Sequence, residues 1–122
     1  MSEAKRMAPV PEGLEIKDYT GEGYDPTHDF GAWRVAFLNY AERFDRITYM
    51  ERHMLTDEVF VLLEGTAELW IGKEATVVPM EKNLIYNVGK AVWHSIRVSR
   101  DAKVLIVENS DTTRENSEYF DL

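Results

Sequence analysis

The chain is predicted to be an all-β domain, folded as a sandwich or a barrel, and three observations carry that prediction. Short runs rich in Val, Ile, Tyr, Phe and Trp recur at close intervals from Trp33 to Glu108. Breaks at Gly65, Gly72-Lys73, Glu81-Lys82-Asn83, Gly89-Lys90 and Arg100-Asp101 separate them. At 122 residues the chain can bury one core but not two, so the strands must share it.

In chain order, residues 1–30 are rich in Gly, Pro, Asp and Glu, with a faint strand signal at Leu14-Glu15-Ile16. They read as an N-terminal arm that packs on the domain. Gly21 to Thr27 is a turn cluster and not a nucleotide loop, because the strand and helix that flank a phosphate-binding glycine motif are missing. The domain proper spans 31–110. Its expected strands are Trp33–Tyr40, Arg46–Arg52, Glu58–Leu63, Ala67–Ile71, Thr76–Pro79, Leu84–Val88, Val92–Val98 and Lys103–Glu108. Leu38, Ala41 and Phe44 would also suit one face of a helix over Ala36–Arg46, but aromatic and β-branched neighbours favour strand. Residues 111–122 form a polar, acidic C-terminal tail, read as a short helix or an ordered arm.

Composition narrows the function. Fourteen basic residues against 22 acidic ones give a net charge of −8, which disfavours a nucleic-acid surface. There is no cysteine, so disulfides and thiolate metal sites are excluded and any metal must be held by imidazole and oxygen. Met1 to Ala8 carries two basic residues but no apolar run, so it does not read as a signal peptide. No stretch is apolar enough to span a bilayer as a helix, no membrane partner is expected, and the cytoplasm is the expected location.

The chemistry concentrates around Glu51-Arg52-His53. Side chains alternate along a strand, so Glu51 and His53 share a face with Tyr49, while Glu58 opens the next strand after a short turn. His94 shares a face with Ile96 and Val98 on a later strand. Convergent polar groups over an apolar floor are the usual build of a small-ligand pocket. The plain alternatives are an exposed edge strand for Glu51 and His53, a strand-boundary carboxylate for Glu58 and a backbone-bonded core imidazole for His94. His28 lies in a polar segment and reads as solvated. Trp33, Trp70 and Trp93 read as core or interface residues.

These segments resemble the two motifs of the cupin superfamily. The first motif runs His-x-His, three or four residues, Glu, six residues, Gly. His53 matches its second histidine, Glu58 follows after four residues and Gly65 after six more. Asn87 to His94 resembles the second motif, Pro-x-Gly-x-x-His, with Gly89 at the proline position, Ala91 at the glycine and His94 at the histidine. Two departures stand out: Glu51 takes the place of the first histidine, and Val98 stands where an asparagine is common.

The resemblance implies a cupin-type double-stranded β-helix, a small jelly-roll barrel of two antiparallel sheets with the site in its mouth. It implies a ligand set of Glu51, His53, Glu58 and His94 for a divalent ion, and two imidazoles with two carboxylates suit Fe(II), Mn(II) or Zn(II). Glu51 becomes the candidate catalytic proton carrier, and Tyr49, Tyr40 and Tyr86 the candidate substrate-binding side chains. Two functions follow. One is a metal-dependent enzyme of isomerase, lyase or dioxygenase type acting on a small polar metabolite. The other is a non-catalytic binding or sensor module without essential metal. A two-fold homodimer burying Val59, Val61 and Leu63 is expected in either case.

Overall fold

A computed structural model describes residues 9–122. Met1 to Ala8, including the stretch read above as no signal peptide, lies outside them. Ten strands follow one another: β1 (Tyr24–Phe30), β2 (Trp33–Asn39), β3 (Tyr49–His53), β4 (Glu58–Glu64), β5 (Ala67–Ile71), β6 (Thr76–Pro79), β7 (Tyr86–Val88), β8 (His94–Val98), β9 (Lys103–Asn109) and β10 (Ser117–Asp121). A single turn of 3-10 helix, Glu42–Phe44, sits between β2 and β3.

The strands form two antiparallel sheets of five, in the orders β1-β2-β9-β4-β7 and β10-β3-β8-β5-β6. Burial follows the period of two expected for strands with one covered face. Ala36 and Leu38 on β2, Phe60 and Leu62 on β4, and Val104 and Ile106 on β9 point inward from the first sheet. Leu69 on β5 with Ile96 and Val98 on β8 meet them from the second. Sheet on sheet, with one apolar core between, is the two-layer solution for amphipathic strands.

Eight strands lie close to their expected places, and two more were not anticipated. β1 occupies part of the segment read as arm and turn cluster. Pro26 lacks an N–H, which confines such a residue to a sheet edge or a bulge, and both apply here: β1 is an edge strand and its register shifts between Asp25 and His28. No strand forms at Leu14–Ile16; Leu14 and Ile16 are exposed. β10, within the polar tail, pairs along β3, matching Ser117 with His53 and Tyr119 with Glu51. The segment Ala36–Arg46 divides: strand to Asn39, then the 3-10 turn, with no longer helix. None of the three tryptophans joins the buried core. Trp33 lies exposed, and Trp93 stacks edge-on against Phe120 on an outer face, with ring centroids 4.7 Å apart.

The turn after β4 depends on Gly65. Its φ is +73°, and a Cβ there would stand 2.6 Å from the Ala102 Cα, too close to accommodate. Ala91, at the motif's glycine position, also adopts a left-handed conformation, with φ of 65°. Its N–H donates to the His53 carbonyl at 2.8 Å, which ties the loop before β8 to the end of β3.

At one end of the sandwich the inward positions turn polar. Arg34 precedes Ala36 on β2, Glu58 precedes Phe60 on β4, His94 precedes Ile96 on β8, and Glu108 follows Ile106 on β9. The core and the candidate site are thus two ends of the same inward face.

Candidate functional site

Strand register brings the polar residues together. Within the second sheet Glu51 lies directly across from His94 on one side and from Tyr119 on the other, and Ser117 lies across from His53. Within the first sheet Arg34 pairs with Glu108, and Glu58 stands one residue before Val59, whose partner is Val107, so it lies beside Glu108. The two rows face each other across the end of the core.

Glu58 is the centre. Its Oε1 lies 3.0 Å from His94 Nε2 and 3.1 Å from His53 Nε2, while Glu51 Oε1 lies 3.7 Å from His53 Nε2 and 4.0 Å from His94 Nε2. The imidazole centroids are 5.2 Å apart. All four residues inferred from the motifs therefore meet around one point. Side-chain exposure grades from 3% for His94 and 7% for Glu58 to 11% for His53 and 30% for Glu51, so Glu51 forms the solvent side.

The outer hydrogen bonds fix which nitrogen carries the proton. His94 Nδ1 stands 3.0 Å from the Val92 carbonyl, which can only accept, so Nδ1 is the donor. His53 Nδ1 stands 2.8 Å from the Ser117 hydroxyl. That hydroxyl donates its one hydrogen to the Thr113 carbonyl at 2.7 Å, so it accepts from His53. Both rings, when neutral, turn bare Nε2 lone pairs toward an ionised carboxylate. Lone pairs facing lone pairs repel; the arrangement calls for positive charge, supplied by two extra protons or by a cation.

The titration properties report the same demand. Burial opposes charge on His94 and His53, but hydrogen bonds to Glu58 and its negative charge outweigh this and raise both above the ordinary 6.5. Burial likewise opposes ionisation of Glu58, yet the hydrogen bonds from His53 and His94 hold its carboxyl well below the usual range. Glu51 is raised from 4.5, chiefly by burial, with the imidazoles pulling the other way. Glu108 lies beside Glu58 on the neighbouring strand. Burial and then that neighbouring carboxylate push it up to about 7, against the pull of the Arg34 guanidinium at 2.6 Å.

The donor set fits a divalent ion. Ligands about 2.0–2.2 Å from a common centre stand roughly 3.0–3.5 Å from one another. The two separations to Glu58 fall in that range and the two to Glu51, 3.7 and 4.0 Å, lie just above it, and Glu51, His53 and His94 together form a group that could hold a metal. Backbone and hydroxyl acceptors on both Nδ1 atoms are the outer support that orients ligating imidazoles.

A cavity of about 460 Å³ opens over these groups, lined also by Tyr49, Tyr119, Arg43 and Arg114. Of the three tyrosines expected at the mouth, only Tyr49 lines it. Tyr40 packs against the core with Arg100 over its ring at 5.0 Å. Tyr86 also packs against the core, and its hydroxyl accepts from the Glu81 N–H at 2.9 Å. Both therefore lie away from the mouth. His28 is likewise remote, its Nδ1 2.9 Å from Lys17 Nζ. Reasoning from sequence missed Glu108, Arg34, Ser117 and Tyr119. The first two had a signal, since each falls on the inward phase of its strand; Ser117 and Tyr119 sit on the unanticipated β10.

No family model matches the sequence, and no curated protein does. Solved structures do match. A variant of Streptomyces Pac13 with uridine aligns over 95% of this chain and 93% of its own, at a TM-score of 0.64 and 9% identity. A cupin-2 domain protein from Shewanella frigidimarina aligns over 75% of this chain and 84% of its own, at 0.58 and 17%. The chain has the cupin fold. An RmlC-like cupin from Desulfovibrio desulfuricans agrees, at 16% identity and a TM-score of 0.54 over 84% of this chain and 94% of its own. Pac13 is described as a nucleoside dehydratase. At such identities a cupin barrel is shared, while the chemistry rests on this chain's own residues.

Proposed function

We propose that this cupin is a divalent-metal-dependent enzyme that moves a proton on a small polar metabolite, in isomerase or lyase fashion. The observation that carries the reading is the pair of bare Nε2 atoms aimed at the buried Glu58 carboxylate. His53, His94 and Glu58 would hold the ion, with Glu51 as the donor on the solvent side. Bound there, an Fe(II), Mn(II) or Zn(II) ion supplies Lewis acidity toward a carbonyl or hydroxyl oxygen.

The chain's own residues do the rest. Glu51 faces the cavity from the solvent side, where a carboxylate can take a proton from a ligand and return it. The Val92 carbonyl and the Ser117 hydroxyl keep the imidazoles oriented, and Phe60 and Ile96 form an apolar floor that limits water. Tyr49 and Tyr119, with ring centroids 6.0 Å apart, flank the opening and orient the ligand. That Pac13, of like fold, is described as a dehydratase supports the lyase half of the reading. The same reading keeps a two-fold dimer through the outer apolar face of β4.

The test is metal content of protein purified without chelator, followed by proton exchange from D2O into a panel of small keto and hydroxy compounds. About one divalent ion per chain is expected, with exchange that Glu51→Gln slows by about 100-fold or more. Failure to take up Zn(II), Mn(II) or Fe(II), or exchange indifferent to residue 51, refutes the proposal.

A further inference from the structure

The cavity's charges are equal in number but not all paired with one another. Three arginines and three glutamates line it, together with the two histidines. Arg34 is committed to Glu108 at 2.6 Å. Glu58 is committed to both imidazoles, and Glu51 faces the same rings. Arg43 and Arg114 remain; Arg114 accepts the Ser117 N–H through its backbone carbonyl, but neither guanidinium has an ion-pair or hydrogen-bond partner among the described residues. Each instead lies over an aromatic ring: Arg43 Cζ is 4.6 Å from the Phe44 centroid, and Arg114 Cζ is 6.0 Å from that of Tyr119. Stacking holds a guanidinium in place while leaving its N–H edge available. In a chain of net charge −8, two guanidinium groups without ion-pair partners lining one cavity are out of keeping with the surroundings.

We infer that the cavity takes a small anion, a carboxylate or a phosphate monoester, whose charged end is gripped by Arg43 and Arg114 at the rim while its uncharged end reaches Glu51 and the imidazoles. The inference rests on the cavity being the substrate site proposed above and names the class of molecule that enters it. Tyr49, two residues before Glu51 on β3 and so on the same face, lines the cavity together with both arginines. The far wall points to oxygen on the ligand's uncharged part. The buried Tyr24 hydroxyl and the Arg34 guanidinium both line the cavity and face each other, and neither the hydroxyl nor Arg34 Nε completes a well-formed hydrogen bond among the described residues. With Arg34 as its donor, the Tyr24 hydroxyl keeps its own hydrogen for a ligand hydroxyl or carbonyl, which is worth more than a new contact because the group is already desolvated. The shape asked for is a hydroxy or keto acid, or the corresponding phosphate, of a size that about 460 Å³ can enclose.

Glycerol 3-phosphate, glycerate and glycerol form a matched set of probes, since they share a three-carbon hydroxylated frame and differ at the charged end. Binding to the protein as purified is followed by calorimetry and by amide chemical shifts of Tyr49, Glu51 and Ser117. At least one anion should bind about tenfold or more tightly than glycerol and weaken as salt rises, as exposed charge pairing requires. Whichever anion binds better identifies phosphate or carboxylate as the natural end group. The double variant Arg43→Gln, Arg114→Gln should weaken that anion by at least about tenfold with ion content unchanged, and the Lys, Lys pair should restore part of the affinity. Glycerol binding as well as the anions, anion affinity indifferent to the double Gln variant, or no response of those amides to either anion each overturns the inference. Arginine-dependent anion binding in a chain that takes up no divalent ion would sink the metal reading and leave this one standing. Ion uptake without arginine-dependent anion binding would do the reverse.

Discussion

Ser117→Ala isolates a single hydrogen and asks what it is worth. In the native chain the Ser117 hydroxyl gives its hydrogen to the Thr113 carbonyl and accepts that of His53 Nδ1 at 2.8 Å, which keeps His53 Nε2 bare. Alanine removes the acceptor without touching Glu51, Glu58 or His94. The proton on Nδ1 then loses its partner, and its transfer to Nε2, where Glu58 Oε1 waits at 3.1 Å, becomes favourable. Metal must now displace that proton. Loss of such an outer hydrogen bond costs about 10–100-fold in ion affinity, roughly 1.4–2.8 kcal/mol. The metal-free fold loses only about 0.5–1.5 kcal/mol, the usual net value of one hydrogen bond. Competition against a chelator gives the affinity, and imidazole 15N shifts of the metal-free protein give the tautomer directly. Ser117→Thr, which keeps a hydroxyl, should fall near wild type. An unchanged tautomer in Ser117→Ala, or an affinity within about twofold of wild type, would refute the reasoning that the network fixes the proton.

Other expectations follow from the same geometry. In chelator-treated protein, His53 and His94 have folded pKa values raised above 6.5, so their contribution is complete below 6.5 and lost as pH rises through those values. Glu58, depressed below 4.5, contributes above 4.5 and loses that contribution as pH falls toward its folded value. Glu108, raised from 4.5 to about 7, works against folding as pH climbs through that interval. Urea denaturation should therefore find the metal-free protein most stable in mild acid; stability rising from pH 6.5 to roughly pH 8 would contradict this. Ala91→Gly should leave stability unchanged or raise it by up to about 1.5 kcal/mol, because relief of about 1–2 kcal/mol of left-handed strain exceeds the added chain entropy of about 0.4–1 kcal/mol. Gly65→Ala should cost at least about 1–2 kcal/mol from the same conformational term, before the clash with Ala102 is added; thermal melts with matching signs for the two changes would be inconsistent with their φ values. Light scattering should show a dimer that Val61→Lys splits, and a wild-type monomer would count against the outer face of β4 as an interface.

The barrel was legible because its strands carry a period of two and its turns carry glycine or charge: Ala67–Ile71 and Thr76–Pro79 have the bounds the sequence suggested. β1 and β10 were hidden because both are edge strands, covered on fewer sides and so under less demand for apolar alternation. In Tyr24–Phe30 a proline and charged residues mask the pattern, and in Ser117–Asp121 only Tyr119 and Phe120 speak for strand. Glu51, His53, Glu58 and His94 could be found by motif spacing, which reflects strand register. Tyr40 and Tyr86 were misplaced because an aromatic near a barrel mouth packs equally well on the core, and no local feature tells the two apart. Arg43 and Arg114 escaped notice because a lone arginine in a loop looks like ordinary surface until a ring is found beneath it and no ion pair is found among the described residues.

The division of labour between the two sheets has a further outcome. One layer brings Glu58 and the other brings Glu51, His53 and His94. An ion held among them is a clasp across the sandwich, and the layers cannot separate without releasing it. Loading should slow amide hydrogen exchange in β4 and in β8 by a common factor set by ion concentration, making two faces that could otherwise breathe apart open as one.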